Sequence, residues 1–196
     1  MFESLVKGGW MMLPLAVCSL VSVTIVIERI FLFRRLGRPQ GAEEVIALVG
    51  KRQNEEALAI ASEKDSPVMR VLKTGMTHLP EPSGAMESAG MAELSSMRRG
   101  LPALDTIITL SPLLGLLGTI LGMIDSFHIM AISGLGQTCA VTGGVAEALV
   151  CTATGIAVAV VTLIPYNYFL ARIEREAEEI ETWATRLEIA LAEWKA

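Results

Sequence analysis

Three long runs without a charged residue set the plan of this chain. Gly8–Ile27 is 20 positions without a charge, Thr106–Ile124 is 19, and Ala148–Ala171 carries none. A helix needs about 20 apolar residues to cross a hydrocarbon core. Each run therefore predicts a membrane span, the third opening near Val141 and closing near Phe169. Between the first two lies a polar stretch with helical periodicity. Val45, Leu48 and Val49 recur at helical spacing, as do Leu58 and Ala61, which predicts one amphipathic helix over Ala42–Lys64. Ser66 and Pro67 end it, and Val68–His78 reads as a second helix. Leu79–Gly84 is a clear break, with Ser83 as the N-cap of a helix that runs from Ala85 into the second span, kinked at Pro102 and Pro112. Beyond the third run, Arg172–Ala196 continues as a charged helix with seven Glu and an apolar line of Ile173, Ile180, Leu187 and Leu191.

The charges that flank the runs orient them. Arg29, Arg34, Arg35 and Arg38 follow the first, Arg98 and Arg99 precede the second, and Arg172 and Arg175 follow the third. Basic residues favour the cytoplasmic side, so the N-terminus is expected outside and the C-terminus inside. A cleaved leader would carry its charge before the apolar run and a small-residue site after it; here only Lys7 precedes, and the first run reads as an uncleaved span. Met1–Lys7 is a short amphipathic start in which Phe2 and Leu5 rest in the interface, with Trp10 as an aromatic anchor. The turn Ser133–Gln137 has no Lys or Arg, which suits the outer side. The expected fold class is an all-α membrane protein: three transmembrane helices with long cytoplasmic helical extensions, assembling into a ring. Its parts are an N-terminal segment with the first span (1–33), a cytoplasmic helical loop (34–104), a hairpin of the second and third spans (105–171) and a cytoplasmic helix (172–196).

Composition agrees with a bilayer. The chain is 52% hydrophobic but 5% aromatic, with a mean hydropathy of +0.52. The net charge of −5 is segregated along the chain and says little about partners. Cys18, Cys139 and Cys151 lack zinc or redox spacing and read as reduced, structural residues. His78 and His128 are too few for a metal site, and nothing resembles a phosphate loop, a nucleophile elbow or a triad. No catalytic residue, metal, cofactor, nucleic-acid partner or enzymatic activity is expected.

The second span carries the densest information. Ser111, Gly115, Gly118 and Gly122 fall at spacings of four, three and four, one stripe on a helix. Small residues in a stripe let a neighbouring backbone approach, which drives packing in lipid. The stripe needs a close neighbour, and one copy has too few spans to enclose a pore, so a homo-oligomer is expected. Thr119 stands beside the stripe near mid-membrane depth. In the third span, Glu147 is a carboxylate at or near hydrocarbon depth, a costly placement that normally faces a cavity, a partner or a pathway. At 100° per residue, Glu147 shares a face with Cys151 and Thr154, while Thr152 falls with Ala148, Gly155 and Ala159, about 140° away. Alternatives stay open. Glu147 can be an interfacial residue hydrogen-bonded between helices or reaching headgroup water. Thr119 and Thr152 can simply bond back to the carbonyl four residues earlier.

Ser111-Pro-Leu-Leu-Gly-Leu-Leu-Gly-Thr119-Ile-Leu-Gly-Met-Ile124 followed by Phe127, and Glu147-Ala-Leu-Val-Cys-Thr152-Ala-Thr-Gly155 followed by Pro165-Tyr-Asn167, resemble the second- and third-span motifs of the MotA/TolQ/ExbB proton-channel family. The three-span topology resembles its ExbB and TolQ branches, since the MotA branch has four spans. Cys151 stands where a small alanine is more usual, and Thr154 is an additional hydroxyl. The resemblance implies an inner-membrane homopentamer whose second and third spans line a pore. It further implies a single-span ExbD/TolR-type partner in that pore and a TonB- or TolA-type protein that receives the work. By motif position it assigns Thr119, Thr152 and Glu147 to the pore and proton pathway, while Ser111, Gly115, Gly118, Gly122 and Gly155 read as helix-packing residues from their small size. The rival from another class is a structural membrane scaffold that conducts nothing, which would need neither hydroxyls at depth nor Glu147.

Overall fold

The computed structural model describes residues 10–37, 40–133 and 138–192. Within them the regular structure is seven α-helices and no strand: α1 Met12–Arg35, α2 Ala42–Gly50, α3 Asn54–Glu63, α4 Pro67–Thr77, α5 Pro82–Arg98, α6 Leu101–Ser133 and α7 Thr138–Ala192. Three segments, carried by α1, α6 and α7, are long and apolar enough to cross a membrane, so the all-α, three-span expectation holds. The expected amphipathic start at Met1–Lys7, the turn reaching Gln137 and the last residues of the charged tail lie outside the described residues.

Three local expectations are corrected. The single helix over Ala42–Lys64 is two. After α2 the Gln53 N–H reaches the Leu48 carbonyl (3.0 Å) and the Arg52 N–H the Val49 carbonyl (2.9 Å), the paired bonds of a Schellman motif. Arg52, at φ 63°, occupies the left-handed position where glycine is usual. Ser83 is no cap either. Glu81 precedes α5, Pro82 opens it, and Ser83 Oγ donates to Glu188 Oε1 (2.5 Å). Nor does α5 run on into the second span, because Gly100, at φ 83°, breaks the chain between Arg98 and Leu101. Pro102 then falls in the first turn of α6, where a missing N–H is harmless.

Two compact units share the chain. The membrane unit takes the residues up to Glu28 and Gly100–Asn167. Many of its large side chains point outward: Leu13, Leu20, Leu113, Leu116, Ile156, Val161 and Ile164 are all exposed. Its buried positions include Ser111, Ser126, Ala148, Cys151, Ala159 and Thr162. Lipid tails are as apolar as leucine, so close packing rather than removal from water is what gathers the small residues inside. Met12, Leu15 and Cys151 form a compact cluster there, with Met11 and Leu114 against it.

The second unit holds Arg29–Arg99 and the chain from Tyr168 on. Here the pattern is that of a protein in water. Val45, Val49, Ala61, Met69 and Leu72 are buried together with Ile180, Leu187 and Leu191 of α7. Ser66 caps α4 by accepting the Met69 N–H (3.3 Å), with Pro67 in the first turn. Gly90 is packed closely enough that an added methyl would lie 3.3 Å from Ile180. Arg70 holds Glu93 through two bonds of 2.6 and 2.7 Å and also pairs with Asp65. Arg29, almost fully buried, donates to the Ser96 carbonyl (3.1 Å) at the end of α5, where a cation also suits the helix dipole. Phe33 stacks on Phe169 at 5.5 Å between centroids. Glu176 is buried beside Arg172 (3.2 Å). Burial pushes its carboxyl above the ordinary range, Arg172 pulls it back, and Glu179 adds to the rise.

Candidate functional site

The stripe on α6 lies against the chain's own α7. A methyl built on Gly115 would stand 3.0 Å from Thr152 Cα and 3.1 Å from the Cys151 carbonyl oxygen. On Gly122 it would stand 3.0 Å from Ala148 Cβ. From the other side, a methyl on Gly155 would come within 2.5 Å of the Ser111 carbonyl oxygen and 3.1 Å of Gly115 Cα. Gly118 accommodates the side chain of Cys151, and Gly144 that of Ser126. The two helices thus meet backbone to backbone through small residues contributed by both. The stripe is occupied within one chain and is no argument for a second copy.

The hydroxyls of the hairpin have definite partners. Thr152 Oγ1 donates across the seam to the Gly115 carbonyl at 2.9 Å. It therefore does not bond back along its own helix, as Thr154 does to Val150 (2.8 Å). Thr119 Oγ1 donates to the Leu116 carbonyl at 2.6 Å, three residues earlier. Both threonines remain partly exposed. Ser111 is fully buried and its Oγ has no hydrogen-bond partner among the described residues, although buried polar groups nearly always find one.

Glu147 is half-buried and lines a cavity of about 380 Å³ with Asp125, Ser126, Gly118, Gly122 and Met11. Trp10, expected to be an interfacial anchor, is 78% exposed and stands at the same cavity. Thr152 is not among the lining residues. Glu147 and Thr152 are thus presented separately, as their angular separation on α7 requires. The residue that sequence reasoning passed over is Asp125. It follows Gly122 by three positions, so helical spacing carries it to the side of the stripe, where it meets the same cavity as Glu147. Cys18 and Cys151 are free thiols, Cys151 buried in the seam; the side chain of Cys139 lies outside the described set. Among the described residues no group of three metal-ligating side chains is present.

Residues 63–182 match the MotA/TolQ/ExbB proton channel family. An ExbB-like biopolymer transport protein of Synechocystis sp. is 35% identical over 193 residues, which cover 93% of this chain and 90% of that protein. The Tol-Pal system protein TolQ of Pseudomonas aeruginosa is 36% identical over 107 residues, 55% of this chain and 46% of that one. The biopolymer transport protein ExbB of Salmonella typhimurium is 32% identical over 126 residues, 64% of this chain and 48% of its own length.

Proposed function

The chain belongs to the MotA/TolQ/ExbB proton channel family, and on that premise we propose that it is an inner-membrane channel and motor subunit of the ExbB/TolQ type. In this reading several copies, five by family resemblance, form a ring with the N-termini outside and the C-termini in the cytoplasm. A single-span partner of the ExbD/TolR type brings a carboxyl group to the ring. Protons moving down their gradient work through that group to energise a TonB- or TolA-type protein acting at the outer membrane.

The observation that supports this best is the partly exposed hydroxyls of Thr119 and Thr152, each carried by a helix long and apolar enough to cross a membrane, beside a seam of small residues. Thr152 serves the seam through its bond to the Gly115 carbonyl, whereas the Thr119 hydroxyl bonds within its own helix and adds no such bond to the packing. A hydroxyl holds water or a polar group in an otherwise apolar passage. Glu147 supplies charge in a cavity of the same unit.

The test is transport with the partner complex present. Thr119→Val and Thr152→Val keep shape and remove the hydroxyl, and Glu147→Gln keeps size and removes charge. Each is expected to lower energy-dependent uptake, or envelope integrity for a TolQ-type role, at normal expression level. Wild-type activity in the triple variant would overturn the channel reading and leave the scaffold.

A further inference from the structure

A cavity of about 520 Å³ in the second unit plays no part in the proposed channel. Leu79, Pro80 and Pro82, at the turn from α4 into α5, line it together with Leu191 of α7. Glu81 and Glu188 line it too, and no base stands among its described lining residues. Ser83 donates to Glu188 Oε1, which leaves the second carboxylate oxygen as an acceptor. Ala192, where α7 ends, also lines the cavity. Residues 193–196, Glu-Trp-Lys-Ala, follow directly. Two residues of chain span at most about 7 Å, so the main chain at Trp194 is held near this wall whatever conformation it takes. Trp194 also continues the apolar line of α7. It stands seven positions after Leu187 and three after Leu191, both buried, which is the spacing of one helix face. Glu193 instead follows the exposed Ile189 by four.

We propose that residues 193–196 dock in this cavity as a strap, with the Trp194 indole against Leu79, Pro80 and Pro82 and the Lys195 ammonium toward Glu81 and Glu188. The strap ties the connection between α4 and α5 to the end of α7, on the side where Ser83 already bonds Glu188. An indole has roughly 150–250 Å² of surface to bury, and Leu79 is 44% exposed and ready to cover part of it. Lys195 brings the cation that a wall with two carboxylates lacks. A second copy or another protein could present the same chemistry, but the tether decides between them. A segment joined to the wall by so short a length of chain is present at an effective concentration that a free partner does not reach. The inference is independent of the channel reading, because it concerns only the second unit and the residues that follow it.

The experiment uses the full chain in detergent micelles. Trp10→Phe and Trp183→Phe leave Trp194 as the one indole. Its emission is expected to be blue-shifted, and its quenching by acrylamide several-fold weaker than that of free tryptophan. Leu79→Glu, at an exposed position that folding does not depend on, places a charge against the indole and is expected to raise the quenching. A second measurement needs no tryptophan background. Amide hydrogen exchange at Leu79, Glu81, Ser83 and Gly84 is expected to be faster in Trp194→Ala than in wild type, with exchange across α2 and α3 unchanged. An indole quenched as readily as free tryptophan would overturn the proposal. So would protection that Leu79→Glu leaves unmoved, since Trp194 would then be covered elsewhere, or loop exchange indifferent to Trp194→Ala. Protection lost when the copies are separated by dilution would overturn it in favour of a second copy. Protection that appears only when a partner protein is added would overturn it in favour of that partner.

Discussion

Replacing Gly155 by alanine probes the α6–α7 seam where it is tightest. The new methyl would stand 2.5 Å from the Ser111 carbonyl oxygen, 3.1 Å from Gly115 Cα and 3.2 Å from Gly115 N. An ordinary carbon–oxygen contact is roughly 3.3–3.6 Å, so the two main chains must part by about 1 Å. A gap of that size forfeits roughly a quarter to a half of each contact's dispersion energy. Overpacking of this kind destabilises by about 1–3 kcal/mol. The same movement stretches the Thr152–Gly115 bond beyond its present 2.9 Å, and a bond between membrane helices contributes about 0.6 kcal/mol. The total is on the order of 2–4 kcal/mol. Gly118→Ala makes the contrast. Its methyl meets side chains: Cys151 Sγ, Cys151 Cβ at 3.0 Å and Met11 Cβ at 3.4 Å. Cys151→Ala removes the sulfur and is expected to recover most of the Gly118→Ala loss. Ser111→Ala cannot recover Gly155→Ala, because the obstacle is backbone. Gly143→Ala is the control, with no described atom within 4 Å of its methyl. Reversible unfolding in mixed micelles, titrated with a denaturing detergent, gives the order. If Gly155→Ala unfolds together with Gly143→Ala, or if Cys151→Ala does nothing for Gly118→Ala, the backbone-contact seam is wrong.

Three further outcomes are expected. Ser111→Ala removes a buried hydroxyl without a partner, a group that costs about 1–3 kcal/mol to bury, so the same titration should show stability equal to or above wild type; a marked loss would mean the hydroxyl is bonded. Glu176→Gln should be more stable than wild type at neutral pH. A carboxyl raised above its unfolded value withdraws stability as pH climbs from the ordinary carboxylate range through the folded value, and the variant's unfolding curve should lack that fall; parallel curves would refute it. Reporter fusions near Gln137 should mark the outer side and fusions at Ser83 the cytoplasm, and the opposite pattern would reverse the proposed orientation.

The spans were legible because uncharged runs of 19 residues and more have few alternative explanations in a chain of this length. The break after Gly50 was not. Arg52 in a left-handed conformation carries no side-chain signature, and the periodicity of Val45 and Val49 resumes at Ala57 and Ala61 as if nothing intervened. Gly100 did carry a signal, but it was outweighed by helical pattern on both sides. The stripe from Ser111 to Gly122 could be seen in sequence, whereas its partner could not. Spacing along one helix tells which face is small and leaves open which helix meets it. The direction of the Thr152 proton was beyond sequence for the same reason, since Gly115 lies 37 residues away and only the crossing brings it near. Ser83 was misjudged because its hydroxyl found a carboxylate 105 residues on, a competitor that local capping rules do not contain.

The pairing across the seam also sets where the chain can change length. Ser111 faces Gly155, Gly115 faces Thr152, Gly118 faces Cys151, Gly122 faces Ala148 and Ser126 faces Gly144. One residue inserted between Gly115 and Gly122 would turn everything beyond it by about 100° and bring leucine or methionine where the partner backbone leaves no room. The same holds between Gly144 and Gly155. Beyond Ser126 on α6 and before Gly144 on α7 no further such pair occurs at a described glycine, so a residue gained there leaves the five pairs intact. The seam works as a gauge that fixes spacing on its two arms and leaves free the number of residues joining them.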